Sequence, residues 1–393
     1  MPLTGVADLP LHDGHVPPWL AKYMKRMAKA ILEVIVELYG PSEFIKRMSD
    51  PLWFQAFNNT IGMDWDSSGS TTVTIGIVKQ VVRENPGLGI VVAGGKGQAS
   101  RNTPQELHEA ADEGLISSRA AEEAEYASRL AAKTDSVLLQ DGYNLYHHAV
   151  LVSEDGLWTI VQQGMNPETR MARRYHWLRP LPVTPTLEPH SAIAAARHEK
   201  AIPLDLTSRA SLEARRLLPE LVSSTPPQRL LEEVARAHRL AAGIAGLDTW
   251  LGRRGAEERE AARLRAYYRP QPRPPRRIGE VLRLLHDTSP GNLEEMLLLK
   301  GVGPAVVRSL ALVAELVYGV PVSHCDPASI PMDPFRYAYT VGGKDGVPYP
   351  FRRDYAEAVI EFLEQLVREA RLDEKSRRRA LAKLQRLASL LPR

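Results

Sequence analysis

Acidic residues recur beside lysine and histidine in the first half of this chain. Asp64 and Asp66 lie in Asp64-Trp65-Asp66-Ser67-Ser68-Gly69, and Lys96 lies in Gly94-Gly95-Lys96-Gly97. Asp135 and Asp141 follow, and the pair His147-His148 closes the series. Carboxylates of this kind hold a hard divalent ion, while a base or cation handles the attacking water and the developing charge. Asp64, Asp66, Lys96, Asp135, Asp141 and His147 therefore form a candidate catalytic set for phosphodiester hydrolysis. The four aspartates would be the metal ligands, and Mg2+ or Mn2+ the ion. In a strand His147 and His148 point to opposite faces, so at most one enters a given site. Gly94–Gly97 could cradle a phosphate, but it lacks the order of a nucleotide P-loop, and no ATPase is expected. A further polar stretch runs through Gln162-Gln163-Gly164-Met165-Asn166 and Arg173-Arg174-Tyr175-His176-Trp177.

These residues need elements to position them. Apolar residues at helical spacing from Trp19 to Leu38 predict a long helix stopped at Gly40-Pro41, and a short helix follows over 42–48. The stretch 58–69 reads as a loop, and 72–83 fits either helix or strand. Gly89–Ala93 reads as a buried strand running into a flexible Gly94–Gly97 loop. Thr103-Pro104 starts a helix, with Glu106 at capping-box spacing from Thr103. Residues 118–133 form another helix. A hairpin of 146–153 and 157–163 flanks Glu154-Asp155-Gly156, with a third extended piece near 174–178. Residues 180–190 are a Pro-rich connector. Helices are then expected over 211–222, 226–243, 255–268, 278–286, 292–299, 304–318, 354–370 and 373–390. The fold class is α+β. An α/β domain with a small sheet spans 1–190 and carries the candidate active site, and an all-α domain spans 191–393.

Composition excludes several classes. The chain has 393 residues and a formal net charge of +3, so nucleic-acid binding would rest on local basic patches and not on bulk charge. Cys325 is the single cysteine, which excludes an intrachain disulfide and a Cys-based zinc or iron–sulfur site. No NAD, ATP or haem is expected. No apolar run reaches the ~18–20 residues of a membrane span. No signal peptide is read at the N-terminus, and a cytoplasmic location is expected. Arginine outnumbers lysine and proline is plentiful, as in many thermophile proteins and in products of GC-rich genomes.

The helical half carries a second kind of signal. Leu293–Leu299 and the run from Pro304 flank Lys300-Gly301-Val302-Gly303, with the core of the hairpin over 293–318. Glycines let a backbone turn sharply beside a phosphate, and the N-terminus of the next helix favours an anion. Val302 would plug the gap between the helices. This resembles the helix-hairpin-helix motif. The resemblance implies sequence-independent binding of a DNA backbone through Lys300, Gly301, Val302, Gly303 and Arg308. Between Arg253 and Arg277 lie nine arginines with Tyr267 and Tyr268 among them, of which Arg273, Arg276 and Arg277 stand in an acid-free stretch. These, with Lys344, are further candidate DNA contacts. Gly319-Val-Pro321-Val-Ser-His-Cys-Asp326 resembles the segment of helix-hairpin-helix DNA glycosylases that ends in a catalytic Asp. Pro304 and Ala305 stand where bifunctional members carry a catalytic Lys, so lyase chemistry is not implied. Asp326 would assist a monofunctional glycosylase or simply cap a helix.

Over nearly the whole chain, several segments resemble domain-of-unknown-function family 763. They are Ala7–His12 with Pro17–Leu20, Gly62–Gly69, Gly94–Gly97, Tyr146–His148, Gln162–Asn166, Arg173–Trp177 and Gly342–Gly346. That resemblance implies that the two halves act as one unit. The expected function is a metal-dependent nuclease of DNA repair acting on damaged or structured DNA. The alternatives are a monofunctional glycosylase using Asp326 and a non-enzymatic DNA-binding module.

Overall fold

A computed structural model describes residues 16–64, 69–195, 198–244, 256–265, 273–331 and 350–370. Asp66, Lys344 and the helix expected over 373–390 lie outside the described residues. The amphipathic run from Trp19 forms α1 (Pro18–Tyr39), with Pro18 at a position that donates no intrahelical bond. α2 (Pro41–Met48), α3 (Pro51–Thr60) and α4 (Gly69–Glu84) complete a helical layer. Sequence reading missed α3. Its start signal is Asp50-Pro51: the Asp50 carboxylate accepts from the N–H groups of Leu52 and Trp53 at 2.8 and 3.3 Å. The ambiguous stretch 72–83 is helical, because Thr71, Thr74, Ile75, Val78 and Val82 bury one face at helical period.

The strands are β1 (Ile90–Lys96), the two-residue β2 (Leu139–Gln140), β3 (Asn144–Ser153), β4 (Trp158–Met165), β5 (Ala172–Leu178), β6 (His190–Ala195) and the two-residue β7 (Leu204–Asp205). β1, β3, β4, β5 and β6 form an antiparallel sheet in that order. β8 (Ile330–Pro331) joins β6 in parallel, and β2 pairs with β7 separately. Ala149, Leu151 and Val161 on one sheet face pack against α1 to α4. Val150, Ile160 and Trp177 on the other pack against α5 (Thr103–Asp112) and α6 (Ser118–Lys133). The Gly94–Lys96 stretch, read as a flexible loop, is the end of β1. The Thr103–Glu106 capping box does not form. Glu106 instead accepts from Lys79 Nζ at 2.6 Å and from the Gly94 N–H at 2.7 Å.

α7 (Leu212–Ser224), α8 (Pro227–Ala241) and the helices Ala256–Leu264, Ile278–Thr288, Leu293–Leu298 and Pro304–Leu316 share one core. Leu130, Val137 and Leu138 from the first half belong to it as well. The break at residue 190 does not fall between two cores. β6 begins at His190 and covers the edge of β5, which would otherwise present unpaired backbone groups. Helix Arg353–Ala370 returns to α1, where Ala356 and Ile360 enter its core and Arg26 Nη1 donates to Glu357 at 2.7 Å. Among the described residues no helix is long and apolar enough to cross a membrane.

Candidate functional site

β3 enters the sheet through Leu145, Tyr146, His147 and His148, with a register shift between Leu145 and His147. His147 stands opposite Lys96 and Gln163, and His148 opposite Gly95 and Gln162. The two imidazoles take opposite faces, as strand geometry requires, and their surroundings differ. His148 Nδ1 lies 2.8 Å from Gln162 Oε1, and its Nε2 lies 2.7 Å from Ser128 Oγ. His147 is 1% exposed, yet neither ring nitrogen has a hydrogen-bond partner. Burial first, and then the charges of His148, Lys79 and Lys96, push its pKa down to about 3, so the ring is neutral.

Both residues line a cleft of about 870 Å³, of which the His148 ring faces the α6 wall through Ser128 and the His147 ring takes the other sheet face. One wall is the segment after β1, with Gln98, Ser100, Arg101 and Thr103; the other is α6, with Ser128, Arg129 and Ala132. Among the described residues no Asp or Glu lines it. A second pocket of about 300 Å³, beside β6, is lined by Glu188, Asp205 and Asp326 together with His190 and Cys325. The first cleft is thus lined by cationic side chains without a carboxylate, and the second by three carboxylates. Arg101 follows the Gly94–Gly97 stretch by four residues. Ser128 and Arg129 gave no signal, since they sit in an Ala- and Glu-rich helix that reads as scaffold.

Asp135 lies behind the cleft, on a π turn (Thr134–Leu138) that extends α6. Such turns re-aim side chains and are frequent at functional sites. The Asp135 carboxylate accepts from Gln162 Nε2 at 2.5 Å, Trp177 Nε1 at 2.9 Å and His190 Nε2 at 2.6 Å. It thereby anchors Gln162, which in turn orients His148. Asp141 is equally committed, to Arg173 Nη1 at 2.9 Å, Tyr175 Oη at 2.7 Å and the Tyr143 N–H at 3.1 Å. Burial pushes the Asp141 carboxyl up against the pull of Arg173. Asp64 packs with α3 and α4, where its carbonyl accepts from Asn58 Nδ2 at 3.2 Å, on the opposite side of the sheet. The structure thus does not bring Asp64, Asp135 and Asp141 together as metal ligands. Among the described residues no group of three or more His, Cys, Asp or Glu is placed to hold a metal ion.

The Gly94–Gly97 cradle is also otherwise occupied. A carboxylate, that of Glu106, already takes the Gly94 N–H, and Lys79 bridges Glu106 to the Gly94 carbonyl at 2.7 Å. Lys96 is exposed at the end of β1. Gly94 has φ of 90°, and a Cβ there would meet the His148 carbonyl oxygen at 2.4 Å. Gly94→Ala should therefore cost about 3 kcal/mol, because the obstacle is backbone and cannot swing away. Urea unfolding measures it; a loss below ~1 kcal/mol would mean that β1 and β3 separate easily there.

Helices flank the Gly301–Gly303 turn as the sequence predicts. Val302 is 1% exposed and plugs the helical core, while Lys300 and Gly301 face outward. The turn is tied to the cleft's α6 wall: Lys133 Nζ donates to the Val302 carbonyl at 2.6 Å, and Gln140 Nε2 to the Pro304 carbonyl at 2.9 Å. Arg308 is held by Gln140 Oε1 at 2.6 Å and so is not a free DNA contact. Arg273 and Arg276 are exposed, whereas Arg277 pairs with Glu280 at 2.9 Å. Asp326 is not an open catalytic carboxylate. Arg173 grips it at 2.9 and 2.8 Å, and it accepts from the N–H groups of Glu199 at 2.6 Å and Ala328 at 3.0 Å. The Ala328 bond closes a local turn and does not cap a helix.

No curated protein matches the chain, and no solved structure does. One family model, described as a protein of unknown function (DUF763), covers residues 5–351, and with most of its length so matched the chain belongs to that family.

Proposed function

We propose that this protein binds DNA through its phosphate backbone and acts on it at the acid-free cleft, as a nuclease of DNA repair. One observation carries the reading. A cleft lined by Arg101, Arg129 and the His148 ring, with no carboxylate among the described residues, shares α6 with the exposed glycine turn. Ala132 lines the cleft, and Lys133 beside it holds the carbonyl of Val302. A backbone held at the turn would run along α6 to the cleft. Phosphate contacts of this kind do not select sequence. Asp326 and Arg308 support no role in this reading, since both are engaged within the chain.

The test is incubation with lesion-bearing, branched and single-stranded DNA, with and without Mg2+ or Mn2+, alongside binding at several salt concentrations. Cleavage of at least one substrate is expected. Replacing Arg101 and Arg129 by Ala should flatten the slope of log affinity against log salt by about 1.4–1.8, or 0.7–0.9 per lost phosphate contact. Salt-independent or absent binding by the unaltered protein would sink the proposal.

The hairpin has its own test. Gly303 has φ of −134°, and a Cβ built there meets nothing within 4 Å. Gly303→Glu therefore fits the fold and adds only a carboxylate at the N-terminus of helix Pro304–Leu316. DNA affinity should fall about tenfold at unchanged melting temperature, in line with the ~1.5–3 kcal/mol of a charge-assisted contact. Unchanged affinity would remove the turn from the binding surface.

A further inference from the structure

We infer that Ser128 is a nucleophile, with His148 as its general base and Gln162 and Asp135 as the groups that position that base. Four side chains from three separate elements form one hydrogen-bonded line. Ser128 Oγ lies 2.7 Å from His148 Nε2, His148 Nδ1 lies 2.8 Å from Gln162 Oε1, and Gln162 Nε2 lies 2.5 Å from Asp135 Oδ2. The chemistry of the line fixes its protons. A carboxylate accepts, so the Gln162 amide nitrogen faces Asp135 and its carbonyl faces His148. His148 must then carry its proton on Nδ1, which leaves Nε2 as the acceptor for the Ser128 hydroxyl. A hydroxyl on a base, and the base on an orienting group, is the arrangement that activates a serine.

The line ends in the cleft, since Ser128, His148 and Gln162 all line it. Arg101 and Arg129 on the same walls suit an electrophile that carries negative charge, so the substrate class is a phosphodiester. This last assignment rests on the nucleic-acid reading above; the nucleophile itself does not.

The step balances with water as co-reactant. The Ser128 proton passes to His148 Nε2 while Oγ bonds to phosphorus, and the bond from phosphorus to the leaving oxygen breaks. That oxygen takes the proton back from Nε2. Water then gives a proton to Nε2 and attacks phosphorus, and Ser128 Oγ leaves and recovers the proton. Asp135 and Gln162 touch no reacting atom and are positioning residues.

The test uses the full chain and a fluorophosphonate reagent, read by intact mass and peptide mapping. One phosphonyl adduct on Ser128 is expected, absent from Ser128→Ala. Asp135→Asn should label at least tenfold more slowly, although its melting temperature stays high enough for the folded protein to be assayed. A Ser128 adduct in a protein that neither binds nor cuts DNA would uphold the nucleophile and remove the nucleic-acid reading. Absence of the adduct from a folded, DNA-binding protein would overturn the inference and leave that reading standing. Equal labelling of the wild type and Asp135→Asn would overturn the positioning role.

Discussion

Replacing Arg173 by Met should destabilise the protein by about 3–5 kcal/mol, the cost of leaving buried charge without its partner. Arg173, Asp141 and Asp326 have side chains 0%, 1% and 2% exposed. Burial works against the Arg173 charge, but Asp141 and Asp326 more than offset it and hold its pKa above the usual arginine value. The ring of Tyr143 lies 4.4 Å from the guanidinium and screens it from water. Met would fill much of the volume and answer neither carboxylate. Urea unfolding should show a lower midpoint. The triple variant R173M/D141N/D326N should regain more than half of the loss, because the penalty belongs to the orphaned acids and not to the missing cation. A single variant as stable as the wild type would mean that water already reaches this triad.

Acidification should weaken the fold steeply between about pH 6.5 and 5. Burial is the first cause of lowered pKa at three histidines. His147 is pushed down to about 3, His148 is lowered, and His176 lies well below its usual value. His176 also accepts the Arg174 Nε–H at 2.9 Å, which a protonated ring could not do. Unfolded, each ring takes a proton near pH 6.5; folded, each binds one from water only at lower pH. The unfolded chain therefore binds more protons as pH falls, and stability drops by ~1.4 kcal/mol per pH unit for each ring once below 6.5. For His147 and His176 that is about 3 kcal/mol between pH 7.5 and 5.5, and His148 adds to it in the same sense. Asp141 and Asp205 act in the opposite sense, since burial raises their carboxyl pKa values and protonation then favours the folded state. Their contribution opposes that of the histidines and should flatten the curve. Urea midpoints across this range measure the slope, and His147→Leu should remove about a third to a half of it. A flat profile from pH 7 to 5.5 would contradict neutral burial of these rings.

Some of this was legible in the residues. The apolar spacing of α1, the Glu154–Gly156 turn and the glycines before Pro304 each act through neighbours in sequence, so local pattern sufficed. The opposed directions of His147 and His148 followed from strand geometry alone. β6 escaped notice because Ser191-Ala192-Ile193-Ala194-Ala195 has little strand preference of its own; the open edge of β5 imposes the conformation. The carboxylates misled for a related reason. Asp135 meets Trp177, Gln162 and His190, and Asp141 meets Arg173, only after β4, β5 and β6 take their register. Nothing in the spacing of Asp64, Asp135 and Asp141 records that the sheet lies between the first and the other two.

The grip of Arg173 on both Asp141 and Asp326 has a consequence for how this chain can diverge. One guanidinium serves a loop before β3 and a segment 185 residues later, so a change of charge at one of the three positions strands the other two. Relatives that lack arginine at the position of Arg173 should lack both acids as well. Chimaeras that join the first half of one relative to the second half of another should fail wherever the parents differ at this triad. Exchange between relatives would then succeed only with all three residues carried together.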